Sequence, residues 1–386
     1  MLRRVFCFSL MAVMLLSTST PLQARSHKHG KHATTANCNN STQPVRNVIL
    51  LIGDGMSLAQ VSALTLYDGA PEFMKRAQYI GLQTTNSASS DVTDSAAAAT
   101  ALATGTKTRN GMISMTPDGD TLVSIMTRAK KDTSMATGLI ATHTITDATP
   151  IAFIGHNSDR YHAYDLAEDF LTSDIDFFAG GGRKFFEDRE DDRNISKELR
   201  NKGYTIAYSL DTLPKIKRGP IGLLLAEKDM PLMPQGRGDM LPRATQEALR
   251  LLADASRKGF LIMIEGSHID NACHYNDLEC IREEIKDFDA AVRIAMDFAD
   301  HNPGTLVVVT GDHETGGITL PADDNNFTKG KLQPDEENEA VVRFSTKGHT
   351  GCMVPIYAYG AGAERFSGFM DNTDIPKRIA ELLQLP

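Results

Sequence analysis

The feature that most constrains the fold of this chain is a pattern that recurs along it: an unbroken apolar run that stops at a metal-ligating residue. Residues 46–52 are such a run and end in Gly53-Asp54-Gly55-Met56. Residues 136–142 lead into Thr146-Asp147-Ala148-Thr149-Pro150, and 260–264 into Glu265, Asp270 and His274. Residues 305–309 lead into Thr310-Gly311-Asp312-His313. A run that is apolar at every position, without alternation, suits a strand buried on both faces, as in a parallel sheet covered by helices. Further strands are expected at 79–85, 175–179, 219–226 and 354–359. Helices are expected at 121–131, 164–171, 187–202 (charged and solvated), 242–258, 278–299 and 373–383. Strand and helix alternate throughout, so the predicted fold is α/β, doubly wound, with a mostly parallel central sheet and helices on both faces. No repeat or linker divides residues 45–386, which read as one catalytic domain.

A second feature stands out within this frame. Asp91-Val92-Thr93-Asp94-Ser95 opens onto an alanine-rich run that ends at Gly105. Alanine is the strongest helix former and glycine a common stop, so 95–104 is predicted to be a short buried helix. Ser95 then lies in the first turn, where free N–H groups and the positive dipole end favour an anion such as phosphate. Taken alone, a serine and an aspartate there are also ordinary helix caps.

Targeting and composition narrow the function classes. Arg3 and Arg4 precede an apolar stretch 5–16, and Leu22-Gln23-Ala24 follows: the layout of a secretory signal cleaved after Ala24. The stretch is too short to span a bilayer, and no later segment looks transmembrane. Residues 25–44 are polar and read as a disordered leader. The expected location is periplasmic or secreted. The formal net charge of −9, with no long basic stretch in the body, argues against a nucleic-acid partner. Export permits disulfides, and Cys273 and Cys280 are close enough in sequence to pair. Gly180-Gly181-Gly182 lacks the Lys-Ser/Thr of a phosphate loop and is expected to be a flexible turn.

Parallel strands bring their C-terminal ends to one edge, so Asp54, Asp147, Thr149, Glu265, Asp270, His274, Asp312 and His313 can converge there. His349, in the glycine-flanked Lys347-Gly348-His349-Thr350-Gly351, precedes another strand. Asp270 and His274 are four apart and share one helical face. Carboxylates meeting in a partly buried site repel and need cations to stay ionised. Mixed imidazole and carboxylate suits zinc; an oxygen set of Asp, Glu and Thr suits magnesium.

These motifs, with Asp94-Ser95-Ala96, Arg160 and Asp312-His313-Glu314-Thr315-Gly316, resemble the alkaline phosphatase family of the two-zinc, one-magnesium type. The resemblance runs from about residue 47 to the C-terminus. It implies that Asp270, His274 and His349 hold one zinc and Asp54, Asp312 and His313 the other. It further implies that Asp54 bridges to magnesium with Asp147, Thr149 and Glu265, and that Arg160 clamps phosphate. Ser95, its Oγ also a zinc ligand, would attack phosphorus and form a phosphoserine, which water then hydrolyses to release inorganic phosphate. Small phosphomonoesters are the implied substrates, alkaline pH the implied working range, and a homodimer is suggested by analogy alone. Asn271 stands where some members carry Lys or His. The short span from His313 to His349 leaves no room for a large insertion, as in compact bacterial members. A sulfatase or phosphodiesterase on the same fold, or a non-catalytic metal- or phosphate-binding protein, are the rivals. Ser95 is followed by alanines rather than a sulfatase motif, and a pure binder has no use for a nucleophile.

Overall fold

A computed structural model describes residues 43–321 and 341–386. The expected signal segment, nearly all of the leader with Cys38, and the acidic stretch 322–340 lie outside them. The strands in chain order are β1 (Asn47–Gly53), β2 (Tyr79–Thr84), β3 (Ala136–Thr144), β4 (Phe177–Gly181), β5 (Thr205–Ala207), β6 (Ile221–Leu224) and β7 (Phe260–Gly266). They continue with β8 (Thr305–Gly311), β9 (Glu314–Thr315), β10 (Ile318–Thr319), β11 (Arg343–Phe344), β12 (His349–Thr350), β13 (Val354–Gly360) and β14 (Gly368–Asp371). Among the described residues, ten strands make one sheet in the order β14-β2-β13-β8-β1-β7-β3-β4-β6-β5. Every pairing in it is parallel except those of β13, which runs antiparallel to β2 and β8. The doubly wound α/β expectation holds.

The core lies in two layers, one on each face of the sheet. Along β1, Val48, Leu50 and Ile52 face one layer, and Ile49 and Leu51 the other. This alternation of two buried faces is what an unbroken apolar run encodes. The first layer is closed by the helices Ser95–Thr104, Ile125–Thr133 and Asp374–Leu382, the second by Leu58–Asp68, Met240–Ala255 and Leu278–His301. None of the helices among the described residues is long and apolar enough to cross a membrane.

Several local expectations shift. The helix expected at 121–131 starts at Ile125, because the Ser124 side chain caps it and Leu122 N–H donates to the Ser114 carbonyl instead. The charged stretch 187–202 is a helical end, a loop and the helix Ile195–Asn201. It is not wholly solvated: the Arg189 side chain is 3% exposed and donates to the Tyr164 carbonyl and Glu168. Gly180 and Gly181 form the end of β4 rather than a flexible turn. Cys273 and Cys280 are free thiols. Cys273 faces the core from the helix His268–Tyr275, and Cys280 lies in the first turn of the helix after it, capped by Asp277.

One buried polar group matters to this architecture. Arg237 donates to Glu284 and Asp287, with all three side chains at most 3% exposed, and this triad pins residues 231–237 to the Leu278–His301 helix. Burial raises the Asp287 carboxyl to about 6 despite the opposing Arg237 charge. Removing the cation leaves two carboxylates buried without compensation, so Arg237→Ala is expected to cost about 3–5 kcal/mol, read from denaturant unfolding at neutral pH.

Candidate active site

Register brings the acidic groups together. Gly53 of β1 lies opposite Gly266 of β7 on one side and Gly311 of β8 on the other, so Asp54 and Asp312 emerge level with each other at the same sheet edge, with Glu265 just inside it, opposite Ile52. Their exposures are 5%, 0% and 0%. The turn after β1 needs Gly55: its φ is 70°, and a Cβ there would sit 2.9 Å from Asp270 Oδ1. The Gly55 N–H donates to Asp312 Oδ1 at 3.0 Å.

Ser95 is the first residue of its helix, with the bounds and the Gly105 stop that the sequence predicts. Asp94 is the N-cap, accepting from Ala97 N–H at 3.0 Å through Oδ1. Its Oδ2 accepts from Gly111 N–H at 2.9 Å and from Arg160 at 3.3 Å. Arg160 also donates to Asp147 Oδ1 at 3.4 Å, and its Nε is buried without a partner. The guanidinium is thus held between two carboxylates at the start of the Ser95 helix. Burial would lower its pKa, but Asp147 and Asp94 outweigh that and raise it. Thr149 lies in the short helix Ala148–Ile151, with Oγ1 buried and unpartnered.

Three imidazoles complete the cluster. His313 and His349 stack with centroids 3.6 Å apart. His274 Nδ1 bonds the Lys347 carbonyl, and His349 Nδ1 the Thr93 carbonyl at 2.9 Å. A carbonyl only accepts, so each Nδ1 carries a proton, and Nε2 is the ring atom left to face inward. Those two Nε2 atoms lie 3.3 Å apart, with Asp270 Oδ2 3.0 Å from that of His274. Two lone pairs and a carboxylate at that spacing require a cation between them, either a proton or a metal. The third imidazole, His313, brings Nε2 within 3.2 Å of Asp312 Oδ2, 3.4 Å of Asp54 Oδ1 and 3.3 Å of Ser95 Oγ.

Donor atoms of Asp270, His274 and His349, and of Asp54, Asp270 and His313, lie close enough together to hold metal ions. Both Glu265 oxygens, Asp54 Oδ1, Asp312 Oδ2 and Thr149 Oγ1 are buried without hydrogen-bond partners. Native proteins rarely leave such groups unsatisfied, and this set fits hard divalent cations and zinc. The electrostatics agree. Burial, then Asp312, Asp270 and Glu265, push Asp54 well above the carboxylate range. Burial and Asp147 raise Glu265 to about 8, and burial raises Asp312 to about 7. The hydrogen bond to Asp270 lifts His274 to about 9. Burial acts against Asp270, but His274 and the other imidazoles outweigh it and hold that carboxyl low.

All eleven residues singled out in the sequence sit at this edge of the sheet or on the loops over it. A profile described as "Alkaline phosphatase" matches residues 45–345 and 322–385. The chain belongs to the alkaline phosphatase family. It is 33% identical to "Alkaline phosphatase 3" of Bacillus subtilis over 88% of this chain and 89% of that one. The alkaline phosphatase of the Antarctic bacterium TAB5 superposes with a TM-score of 0.83 at 39% identity, over 89% of this chain and 99% of that one. A variant of the TAB5 enzyme, 40% identical over the same shares, also superposes at 0.83 and carries magnesium in what is called its M3 site. As an alkaline phosphatase, the chain is a metal-dependent enzyme that hydrolyses phosphomonoesters.

Other residues that build the alkaline phosphatase site escaped the sequence reading. Gln60, fully buried, accepts from Ser57 and donates to Glu314 Oε1 at 2.9 Å and to the Thr315 carbonyl at 2.6 Å. Glu314 also accepts from Ile318 N–H and Thr350 Oγ1. The cap of the first helix is thereby tied to the His313 loop and to β12, which carries His349. The spacing of Ser57 and Gln60, three apart at a helix start, was the available signal.

The raised groups set a pH signature for the metal-free protein. A folded-state pKa above the unfolded value means stability that is lost as pH rises through the folded pKa. Glu265 and Asp312 lose theirs from the ordinary carboxylate range up to about 8 and 7, and His274 up to about 9. Asp270 titrates below this window. After chelation, the unfolding temperature is expected to fall from pH 4.5 to about 9, most steeply above the ordinary imidazole range, because burial keeps His313 and His268 deprotonated and they oppose the loss below it. Metal-loaded protein is expected not to follow, since bound cations replace the protons.

Proposed function

We propose that the chain hydrolyses phosphate monoesters at alkaline pH through a phosphoserine on Ser95. The observation that carries this reading is the position of Ser95 Oγ. It lies in the first turn of a helix, 3.3 Å from His313 Nε2, where the acidic cluster and the Arg160 guanidinium meet. Zinc held by Asp270, His274 and His349 and by Asp54, Asp312 and His313, with magnesium at Asp54, Asp147, Thr149 and Glu265, would supply the positive charge that makes Ser95 and water nucleophilic and stabilises the leaving oxygen.

The chain's own groups do the rest. Arg160, kept charged by Asp94 and Asp147, presents a planar fork to two phosphoryl oxygens. The positive end of the Ser95 helix, whose Ala97 N–H is already capped by Asp94, would favour the same anion. Ser95 Oγ passes its proton to solvent hydroxide and bonds to phosphorus as the ester P–O bond breaks, and the leaving alkoxide takes a proton from water, restoring the hydroxide. Water then attacks the phosphoserine, the P–Oγ bond breaks, Ser95 regains a proton, and inorganic phosphate departs. The N-terminal sequence supports export to the periplasm or beyond, and a homodimer is proposed by analogy with the family.

The test is hydrolysis of a monoester, a diester and a sulfate ester by metal-stripped protein, before and after zinc and magnesium are restored. Monoester turnover restored only by metal is expected; preference for a diester or a sulfate reassigns the substrate. Ser95→Ala is expected to abolish both turnover and the labelled phosphoprotein trapped by acid quench, and wild-type turnover in that variant sinks the phosphoserine route. Arg160→Ala loses two charge-assisted hydrogen bonds and is expected to lower kcat/KM by about 10²-fold.

A further inference from the structure

Asp147 is shared between two neighbours. Its Oδ1 meets Arg160, while its Oδ2 lies 3.3 Å from His143 Nδ1, out of line for a hydrogen bond. On the far side of that ring, His143 Nε2 lies 3.4 Å from Asp229 Oδ1. Asp229 is 47% exposed at its side chain, so burial does not hold it there. Its backbone does. Residues 226–239 cross the end of β4 as an arm, and the Gly182, Arg183 and Lys184 N–H groups donate to the Lys228, Ala226 and Glu227 carbonyls. A Cβ on Gly181 would lie 2.0 Å from the Lys228 carbonyl oxygen. The triple glycine therefore has a use unrelated to phosphate: it lets this arm lie against the sheet.

The far end of the arm is fixed as firmly. The Met233 N–H donates to Glu284 Oε1 at 2.8 Å, and Arg237 enters the buried triad with Glu284 and Asp287. Between the anchors, the Met230 carbonyl accepts from His268 Nε2 at 2.7 Å. The His268 ring in turn packs edge-on against His143, with centroids 5.3 Å apart at 68°. His143 is thus braced on one side by a ring and on another by a carboxylate, both placed by the same arm.

We propose that the 226–239 arm, through Asp229 and His143, positions Asp147 and so sets the affinity for magnesium of the site formed with Thr149 and Glu265. His143 is a positioning residue, since it acts through Asp147. Partners of this kind around a metal ligand typically carry about 10–100-fold in metal affinity. The inference rests on the reading of the magnesium site given above.

The test uses the full, zinc-loaded protein and measures magnesium binding by titration calorimetry, with zinc content and metal-free unfolding temperature measured alongside. His143→Ala and the partly exposed Asp229→Ala are each expected to raise the magnesium dissociation constant about tenfold, with zinc content unchanged. The double variant is expected to be no weaker than His143→Ala, because both act on one path. Wild-type magnesium affinity in Asp229→Ala overturns the proposal, even if His143→Ala fails to fold. Joint loss of zinc, magnesium and metal-free stability also overturns it, because that marks a structural role alone. A wild-type protein that binds no magnesium overturns the underlying reading, and this inference with it.

Discussion

The whole structure answers one electrostatic constraint. Asp54, Glu265 and Asp312 are carried to the same edge of a parallel sheet by strands whose glycines sit opposite one another, and they are buried there. Carboxylates so placed either take up protons or are neutralised by metal. The fold commits to this by leaving five of the surrounding oxygens without a hydrogen bond from protein. It then stiffens what surrounds them. Gln60 and Glu314 lock the loops bearing His313 and His349, and backbone carbonyls fix the faces of His274 and His349. The mouth is different in kind: there the Arg160 guanidinium is a permanent, protein-borne positive charge, held between the Asp94 and Asp147 carboxylates.

Legibility in the sequence followed the range of the interactions involved. β1, β7 and β8 announce themselves because a strand buried on both faces leaves no polar position, and the acid after each run then stands out. The Ser95 helix is encoded locally, by alanines, the Asp94 cap and Gly105, and its bounds appear in the structure as expected. What was not legible depends on partners distant in the chain. His349 stands out in the sequence as a candidate, but its placement does not: it belongs to β12, a two-residue strand that pairs with β9, and that pairing together with the Thr93 carbonyl sets its ring against His313. The antiparallel sense of β13 and the short edge strands β5 and β14 follow from packing, which no local pattern records.

The free thiols and the triple glycine make the same point from the other side. Cys273 and Cys280 are near in sequence, but the first points into the core beside Gln60 and the second opens the next helix. Gly180-Gly181-Gly182 looked like a turn because three glycines cost backbone entropy that a strand rarely bears. The reason for it lies some 50 residues away, in a carbonyl that needs the space.

The place of β1 has a consequence for how the molecule is made. Among the described residues it comes first in chain order and lies centrally in the sheet, and its partners β7 and β8 begin at Phe260 and Thr305. Its seven residues, apolar along nearly their whole length, stay without a sheet partner until most of the chain has been translated. Until then the segment stays exposed, and folding has to wait for contacts more than 200 residues apart. The cluster at the sheet edge is completed late, because its residues are spread between positions 54 and 349 and His349 arrives only with β12.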